Sequence, residues 1–546
     1  MAVLLRYWHT VRHLKLIQLY NRLRFLIYKP KLKFTRGFST RRSKRQFTQP
    51  SQKRFPLLGP TIFSFLNKVE DLEVVGWDAP SIDKLWRYNQ HYFDYLNASN
   101  SVLNNQWHLA LLQRWVDENE PGSGVGWDPY PTSLRIVNWI KWSLIGNKLP
   151  AKCVESLVLQ ARFLMHRIEW HILGNHLFAN AKALIFSGLF FNGYEANQWL
   201  CKGLKIISDE LSEQVLADGG HFERSPMYHA IFLEDILDLI NLAETYPGLV
   251  NADVIDNWKS IAADMMCWLK VMTHPDGEIA LFNDSAFKIS PKPERLLEYA
   301  KRLSIHSKEP QEISEIIHLS ESGYLRVNKN NLALIIDVAK VGPDYLPAHA
   351  HADTLSFELS LHGLRVFVNG GTSVYGDSEI RLYERSTAAH NTVVVDNENS
   401  SEVWSGFRVA RRAYPFDFKS NKTEDCVYIE CSHNGYERLN KGLVHTRTWK
   451  VSNGCLNIHD NVKGCHSEAF AYYHLSPDAK IFSIDANEII LLMKNGEKVR
   501  LNYLGSSFNI LDGYYAPEFG KRLPNQYLKI GLDALEGSSL QVSWDF

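Results

Sequence analysis

What this 546-residue chain lacks narrows the reading before any motif is considered. No segment approaches the ~18 consecutive apolar residues of a membrane-spanning helix. Its seven cysteines, Cys153, Cys201, Cys267, Cys426, Cys431, Cys455 and Cys465, are scattered and odd in number. None forms a CxxC pair, so neither a zinc ribbon nor a redox motif is indicated, and free thiols in a reducing compartment are expected. HExxH, a P-loop, GxSxG and a strand followed by GxGxxG are all missing, which removes support for metalloprotease, NTPase, serine hydrolase and dinucleotide-binding readings. Acidic residues are missing from the first 69 positions, which carry sixteen Lys or Arg before Glu70. The apolar patches there are broken by Arg6, Arg12, Lys15, Arg22 and Arg24. A signal peptide needs an unbroken apolar centre, so a cytoplasmic location is expected.

What is present suggests a multidomain α+β protein, since a chain of this length exceeds one core. Residues 2–28 repeat apolar positions at helical spacing with basic residues between them, an amphipathic helix. Lys29–Arg54 is a basic, irregular arm. Three uses compete for this region: a strap on the protein's own body, a membrane-surface helix at the inner membrane, or a guide for an anionic polymer. No nucleic-acid motif accompanies the charge. From about residue 80 to 305, helical segments of ten to twenty residues follow one another through short turns, so stacked helical hairpins are expected. From Ser320 to Phe546 short strands alternate with turns, and a β-sandwich closes so many antiparallel strands. SKEPQEISE reads as the polar connection. The division is therefore 1–79, 80–312 and 313–546.

Aromatic residues are well represented (15 Trp, 24 Tyr, 27 Phe), and they serve cores and sugar clefts alike. GWDPYPTSLRIVNWIKW offers Trp127, Tyr130, Arg135 and Asn138 for sugar and carboxylate, or for packing with one salt bridge. GNHLFANAKAL opens a helix with Asn175 and His176, and an asparagine there is also an ordinary N-cap. DGGHFERSPMYH crowds His221, Glu223, Arg224, Tyr228 and His229 ahead of an apolar helix, more than capping requires. The densest stretch is 341–397. There His349, His351 and Asp353 alternate, so an extended strand would turn all three to one face. His390 precedes the β-branched run NTVVVD. His351 and His390, with an oxygen ligand, suit zinc.

These motifs, in this order, carry a resemblance. AHAHADTLSFEL, the VNGGT turn and RSTAAHNTVVVD resemble the C-terminal domain of heparinase II/III-type polysaccharide lyases. YPTSLRIVNWIKW, GNHLFANAKAL and GGHFERSPMYH resemble the helical half of the same family, and together the likeness spans roughly residues 80 to 460. It implies an incomplete α/α toroid followed by an antiparallel β-sandwich, with the site between them. By position it also implies that Asn175 neutralises a uronate carboxylate and that Tyr228 with His349, or His176, serves as acid and base. Tyr130, Arg135, His221, Glu223 and Arg224 are then candidates for substrate binding. His351 and His390 match two ligands of a structural zinc, with Asn369 where relatives carry an aspartate. An amide oxygen is the poorer ligand.

The implied reaction is β-elimination on an acidic, uronate-containing polysaccharide, glycosaminoglycan-like or capsular. Two rivals remain: a glycan-binding or assembly protein that keeps the fold, and a metal-dependent enzyme of another class built on His351 and His390.

Overall fold

The computed structural model describes residues 2–30, 32, 38–308 and 315–544. Helices dominate its first half: α1 (Ala2–Val11), α2 (Leu16–Ile27), the short α3 (Leu72–Val75), α4 (Lys84–Tyr92), α5 (Asn105–Glu118), α6 (Pro129–Leu144) and α7 (Ala151–His166). They continue with α8 (Gly174–Phe190), α9 (Tyr194–Gln214), α10 (Pro226–Thr245), α11 (Ala252–Val271) and α12 (Pro293–Arg302). Helices α4, α6, α8, α10 and α12 pack in succession as an inner arc, while α5, α7, α9 and α11 lie outside it. The sequence explains which is which. In α8 nearly every residue is apolar and buried, so it must be covered on all sides. In α9, buried Trp199, Gly203, Ile206 and Glu210 recur at helical spacing, and the other face is wet. Ser225 caps α10 by accepting the Tyr228 N–H at 3.2 Å, with Pro226 preset in the first turn.

The second half is strands. The first sheet runs Ile316–Leu319, Tyr324–Lys329, Leu332–Asp337, Phe357–Leu361 and Leu364–Phe367 in chain order. An eight-stranded sheet extends from Pro415–Lys422 at one edge to Ala479–Asp485 at the other, and a four-stranded sheet includes Val393–Val395. All ladders between these strands are antiparallel. One core joins the three sheets, from Leu325 and Phe357 through Trp449 to Leu528 and Val542. The hairpin at Asn330–Asn331 has both residues at positive φ (45° and 64°), as a twisted two-residue turn needs. The architecture is thus an α/α toroid followed by an antiparallel sandwich.

Two expectations need refinement. The boundary expected at 312/313 lies outside the described residues, as do 31 and 33–37 of the basic arm. The arm that is described behaves as a strap. Thr48 N donates to Asn241 Oδ1 at 3.0 Å, Asn241 Nδ2 returns a bond to Thr48 O at 2.7 Å, and Phe47 and Leu57 enter the toroid core.

Toroid and sandwich are firmly joined. Trp268, Met272 and Phe282 share a small core with Leu319, Tyr324 and Ile335. Arg365 bridges Asp276 at 2.7 Å and Glu358 at 3.0 Å, and His274 binds the same Glu358 at 3.0 Å.

Candidate active site

The HAHAD stretch is not a strand. It is an irregular loop that ends at Phe357, pinned by partners no sheet supplies. His349 O accepts from Asp284 N at 2.9 Å, His351 N donates to Asn283 Oδ1 at 3.1 Å, and Ala352 N donates to Arg385 O at 3.0 Å. The alternation still turns both histidines toward one group. Asp284 takes His349 Nδ1 on Oδ2 and His351 Nε2 on Oδ1, each at 2.8 Å. Arg381 grips both oxygens of the same carboxylate, with Nη2 2.7 Å from Oδ2. Burial pushes the Asp284 carboxyl up, but Arg381 and the two histidine bonds outweigh it and hold it well below the usual carboxylate range.

With Nδ1 committed to Asp284, His349 presents Nε2, which stands 3.6 Å from Glu223 Oε2. Its ring lies against Tyr228 with centroids 4.0 Å apart. The Tyr228 hydroxyl bonds that of Tyr375 at 2.9 Å. Burial, with Tyr375 and Asp284 adding to it, pushes the Tyr228 phenol well above its ordinary value, so it keeps its proton. Burial also pushes the Glu223 carboxyl up, against smaller pulls from His349, His176 and the Asn175 main-chain N–H. Neither Glu223 oxygen makes a hydrogen bond of ordinary geometry among the described residues.

Asn175 is the second residue of α8, not its cap, which is Leu173 without a side-chain bond. Its half-buried carboxamide has no hydrogen-bond partner among the described residues. Gly174 explains the close approach here. At φ +55°, a Cβ on it would sit 2.3 Å from Leu346 Cδ2 and 3.2 Å from Glu223 Oε1. Beside it, His176 Nδ1 bonds Glu169 Oε1 at 3.1 Å, and its ring stacks on Tyr130 at 4.4 Å. Burial lowers the His176 pKa, but Glu169 outweighs this and raises it.

Tyr130 also lines a cavity of about 260 Å³ between the toroid and the sandwich half, with Lys53, Lys141, Lys182, Glu234 and Phe519 on its walls. Phe519, on the cavity wall, packs 4.8 Å from Tyr375.

Three expected binding residues lie elsewhere. Arg135 has no exposed surface: Nε bonds Gln160 at 2.9 Å, Nη1 bonds Gly126 O at 2.8 Å, and the guanidinium stacks on Trp115. His221 is equally buried and bonds Gln214 at 3.1 Å. Arg224 donates to Ser322 O at 3.0 Å and ties the toroid to the sandwich. These are packing and fastening positions. In turn, Asp284, Tyr375, Arg381 and Glu169 escaped the sequence reading. Asp284 and Glu169 stand outside any motif, and Tyr375 and Arg381 lie between two of the quoted motifs, so each takes its meaning from a partner distant in the chain.

His351, Asp353 and His390 each offer a ligand atom within 4.8 Å of the others, all buried. Asp353 takes the third place that the sequence suggested for Asn369, whose buried carboxamide has no hydrogen-bond partner among the described residues. The donor set fits a metal. His390 Nδ1 donates to Ser386 O at 2.7 Å and His351 Nε2 to Asp284, which is how ligand histidines are held. That leaves His351 Nδ1 and His390 Nε2 facing each other at 3.1 Å, both with lone pairs if neutral. Burial lowers both pKa values to about 4, so a shared proton is disfavoured near neutrality. A second pair shows the contrast. His433 Nδ1 accepts from Gly435 N, so its Nε2–H can donate to His445 Nδ1 at 3.1 Å, and His445 donates onward to Asp460 at 2.7 Å. That chain is complete without a metal.

A toroid joined to a sandwich, with Tyr228 of the one against His349 of the other, sets the architecture in which the family matches fall. Residues 144–311 match the heparinase II/III N-terminus, and residues 314–536 match the heparinase II/III-like C-terminal domain. The chain belongs to the heparinase II/III-like family. A heparin-sulfate lyase of Bacteroides stercoris is 30% identical over 411 residues, 69% of this chain and 58% of that protein. One from Pedobacter heparinus is 25% identical over 41% of this chain and 36% of its own length. The chain thus spans about half the length of these relatives. Among solved structures, heparinase III superposes with a TM-score of 0.65 at 18% identity, covering 84% of this chain and 76% of that one. A heparan sulfate lyase mutant from Pedobacter heparinus gives 0.58 at 18% identity, covering 97% and 87%.

Proposed function

We propose that this protein is a polysaccharide lyase that cleaves a uronate-containing glycan, glycosaminoglycan-like or capsular, by β-elimination. The observation that carries the reading is the close ring contact of Tyr228 and His349, with Glu223 3.6 Å from His349 and reached by the Asn175 main chain, on a fold shared with proteins named as heparin-sulfate lyases.

In this reading the Asn175 carboxamide donates to the uronate carboxylate, where a second negative charge develops as C5 loses its proton. Such a donor is worth about 3 kcal/mol in comparable sites. Glu223, whose carboxyl burial pushes up, stands 3.6 Å from His349 Nε2 and lines the same space. His349 Nε2 takes the C5 proton, since Asp284 fixes the tautomer that leaves it free. The C5–H electrons form the C4–C5 double bond, the C4–O bond breaks, and Tyr228 protonates the departing oxygen. Base and acid lie ring against ring, which favours removal and delivery on one side of the sugar, the syn relation of a glucuronate-type configuration. His176 and Tyr130 hold the neighbouring residue. A divalent metal such as zinc, held by His351, Asp353 and His390, would act as a structural clamp beneath the His349 loop and supply charge to organise it.

Incubation with a panel of glucuronate and iduronate polymers, followed by ultraviolet absorbance of the new double bond, tests the proposal. Release of unsaturated product from glucuronate polymers is expected, and silence across the panel counts against it.

A further inference from the structure

The amphipathic helix α2 is inside out. Its one buried residue is the polar Gln18, while Leu16, Tyr20, Leu23 and Leu26, spaced along one stripe, are 83%, 69%, 61% and 72% exposed. Helix α1 does the same with Leu4 at 75% and Trp8 at 63%. A helix normally turns its apolar stripe to the core. Here the stripe points away from it, and a patch of this kind marks an interaction surface. The hairpin is nevertheless firmly attached by its other side. Lys15 pairs with Glu213 of the toroid, Arg167 donates to Phe25 O at 2.7 Å and Tyr28 O at 2.6 Å, and Trp404 of the sandwich half donates to Thr10 at 3.1 Å. It is a fixed platform, not a loose end.

We infer that α1 and α2 dock this protein on an anionic lipid surface. Residues 2–28 carry five cations and no acidic residue, and no acid occurs before Glu70; Arg6 and Lys15 pair with Glu402 and Glu213 of the body, while Arg12, Arg22 and Arg24 are exposed. Cationic side chains flanking an apolar stripe are what a lipid surface of negative charge recognises: the stripe enters the acyl boundary and the cations remain among the headgroups. A second copy of this chain would oppose like charges across the stripe, which disfavours that occupant. No helix among the described residues is long and apolar enough to cross a membrane, so the contact is on the surface. The platform also touches the site. Gln18 Nε2 donates to Tyr345 O at 3.4 Å, and the next residue, Leu346, is the one pressed on Gly174 beside Asn175. Docking therefore holds the cleft at a set attitude close to the lipid.

Flotation of the full chain with phosphatidylcholine vesicles, with and without about one-third phosphatidylglycerol, tests this. Binding to the anionic vesicles should be at least about tenfold tighter than to the neutral ones and should weaken with salt. Leu16→Glu, Leu23→Glu and Leu26→Glu combined should lower it by at least about tenfold with the unfolding midpoint unchanged. Should that variant misfold, Arg22→Glu with Arg24→Glu must still reduce anionic binding. Absence of flotation, equal flotation of the variants, or a dimer in sedimentation velocity that the triple variant dissolves without any lipid binding would each overturn the inference.

Discussion

His349 Nδ1 lies 2.8 Å from Asp284 Oδ2, and that one bond decides which nitrogen of His349 faces the cleft. The same carboxylate is buried and clamped by Arg381. His349→Ala is expected to lower kcat by about 10²- to 10⁴-fold with little change in unfolding temperature. Asp284→Asn should lower both, because it leaves the Arg381 guanidinium buried without its counter-charge, a loss of about 3–5 kcal/mol. Steady-state kinetics beside thermal unfolding separates the two. A destabilised but fully active Asp284→Asn protein would deny the orienting role.

Tyr228 keeps its proton in the buried site, which suits an acid. Tyr228→Phe should cut kcat by about 10²- to 10⁴-fold with KM nearly unchanged, since the ring and its stacking survive. Tyr375→Phe removes only the 2.9 Å hydroxyl contact and should cost far less, about tenfold. Equal losses in both would move the acid role away from Tyr228.

Glu223 binds its proton more tightly folded than unfolded, because burial raises its pKa. The sign follows: stability falls as pH rises from the ordinary glutamate range through the raised folded value. Glu223→Gln removes that fall. The variant should be more stable than the parent at about pH 8 and indistinguishable at about pH 4. Denaturant melts at the two pH values measure this. Activity should drop in the same variant, a conflict between stability and function that marks a site residue.

His351 and His390 face each other through bare nitrogens, a geometry that asks for a cation. Elemental analysis is expected to find one divalent ion per chain. Removing it with a chelator should lower stability by about 4 kcal/mol if the ion binds a thousandfold above its Kd. His390→Ala protein should hold no ion and be indifferent to chelator. A metal-free parent with full stability would assign the pair to structure alone.

Much of this was legible in sequence, and the residues show why. The β-branched run NTVVVD is a local signal, and Val393–Val395 folds as the strand it dictates. The alternation in HAHAD pointed to an extended strand, whereas His349 and His351 reach Asp284 from an irregular loop. His351, Asp353 and His390 gather because loop bonds to Asn283 and Arg385 hold them. Asp353 was passed over as a ligand for Asn369, since only the folded loop shows which oxygen lies near the imidazoles. Asp284 was invisible because its meaning lies in residues 65, 67 and 97 positions away. Arg135 misled for the opposite reason: a charged residue among aromatics reads as a binding site, yet here it is wholly enclosed.

The most direct test runs the reaction on a glucuronate polymer in ¹⁸O-labelled water and weighs the products. Elimination predicts chains ending in an unsaturated uronate, lighter than a hydrolysis product by one water and free of label. Saturated ends carrying ¹⁸O, or intact polymer with every glucuronate substrate offered, would contradict the convergence of Asn175, Tyr228 and His349 on one departing glycosidic oxygen.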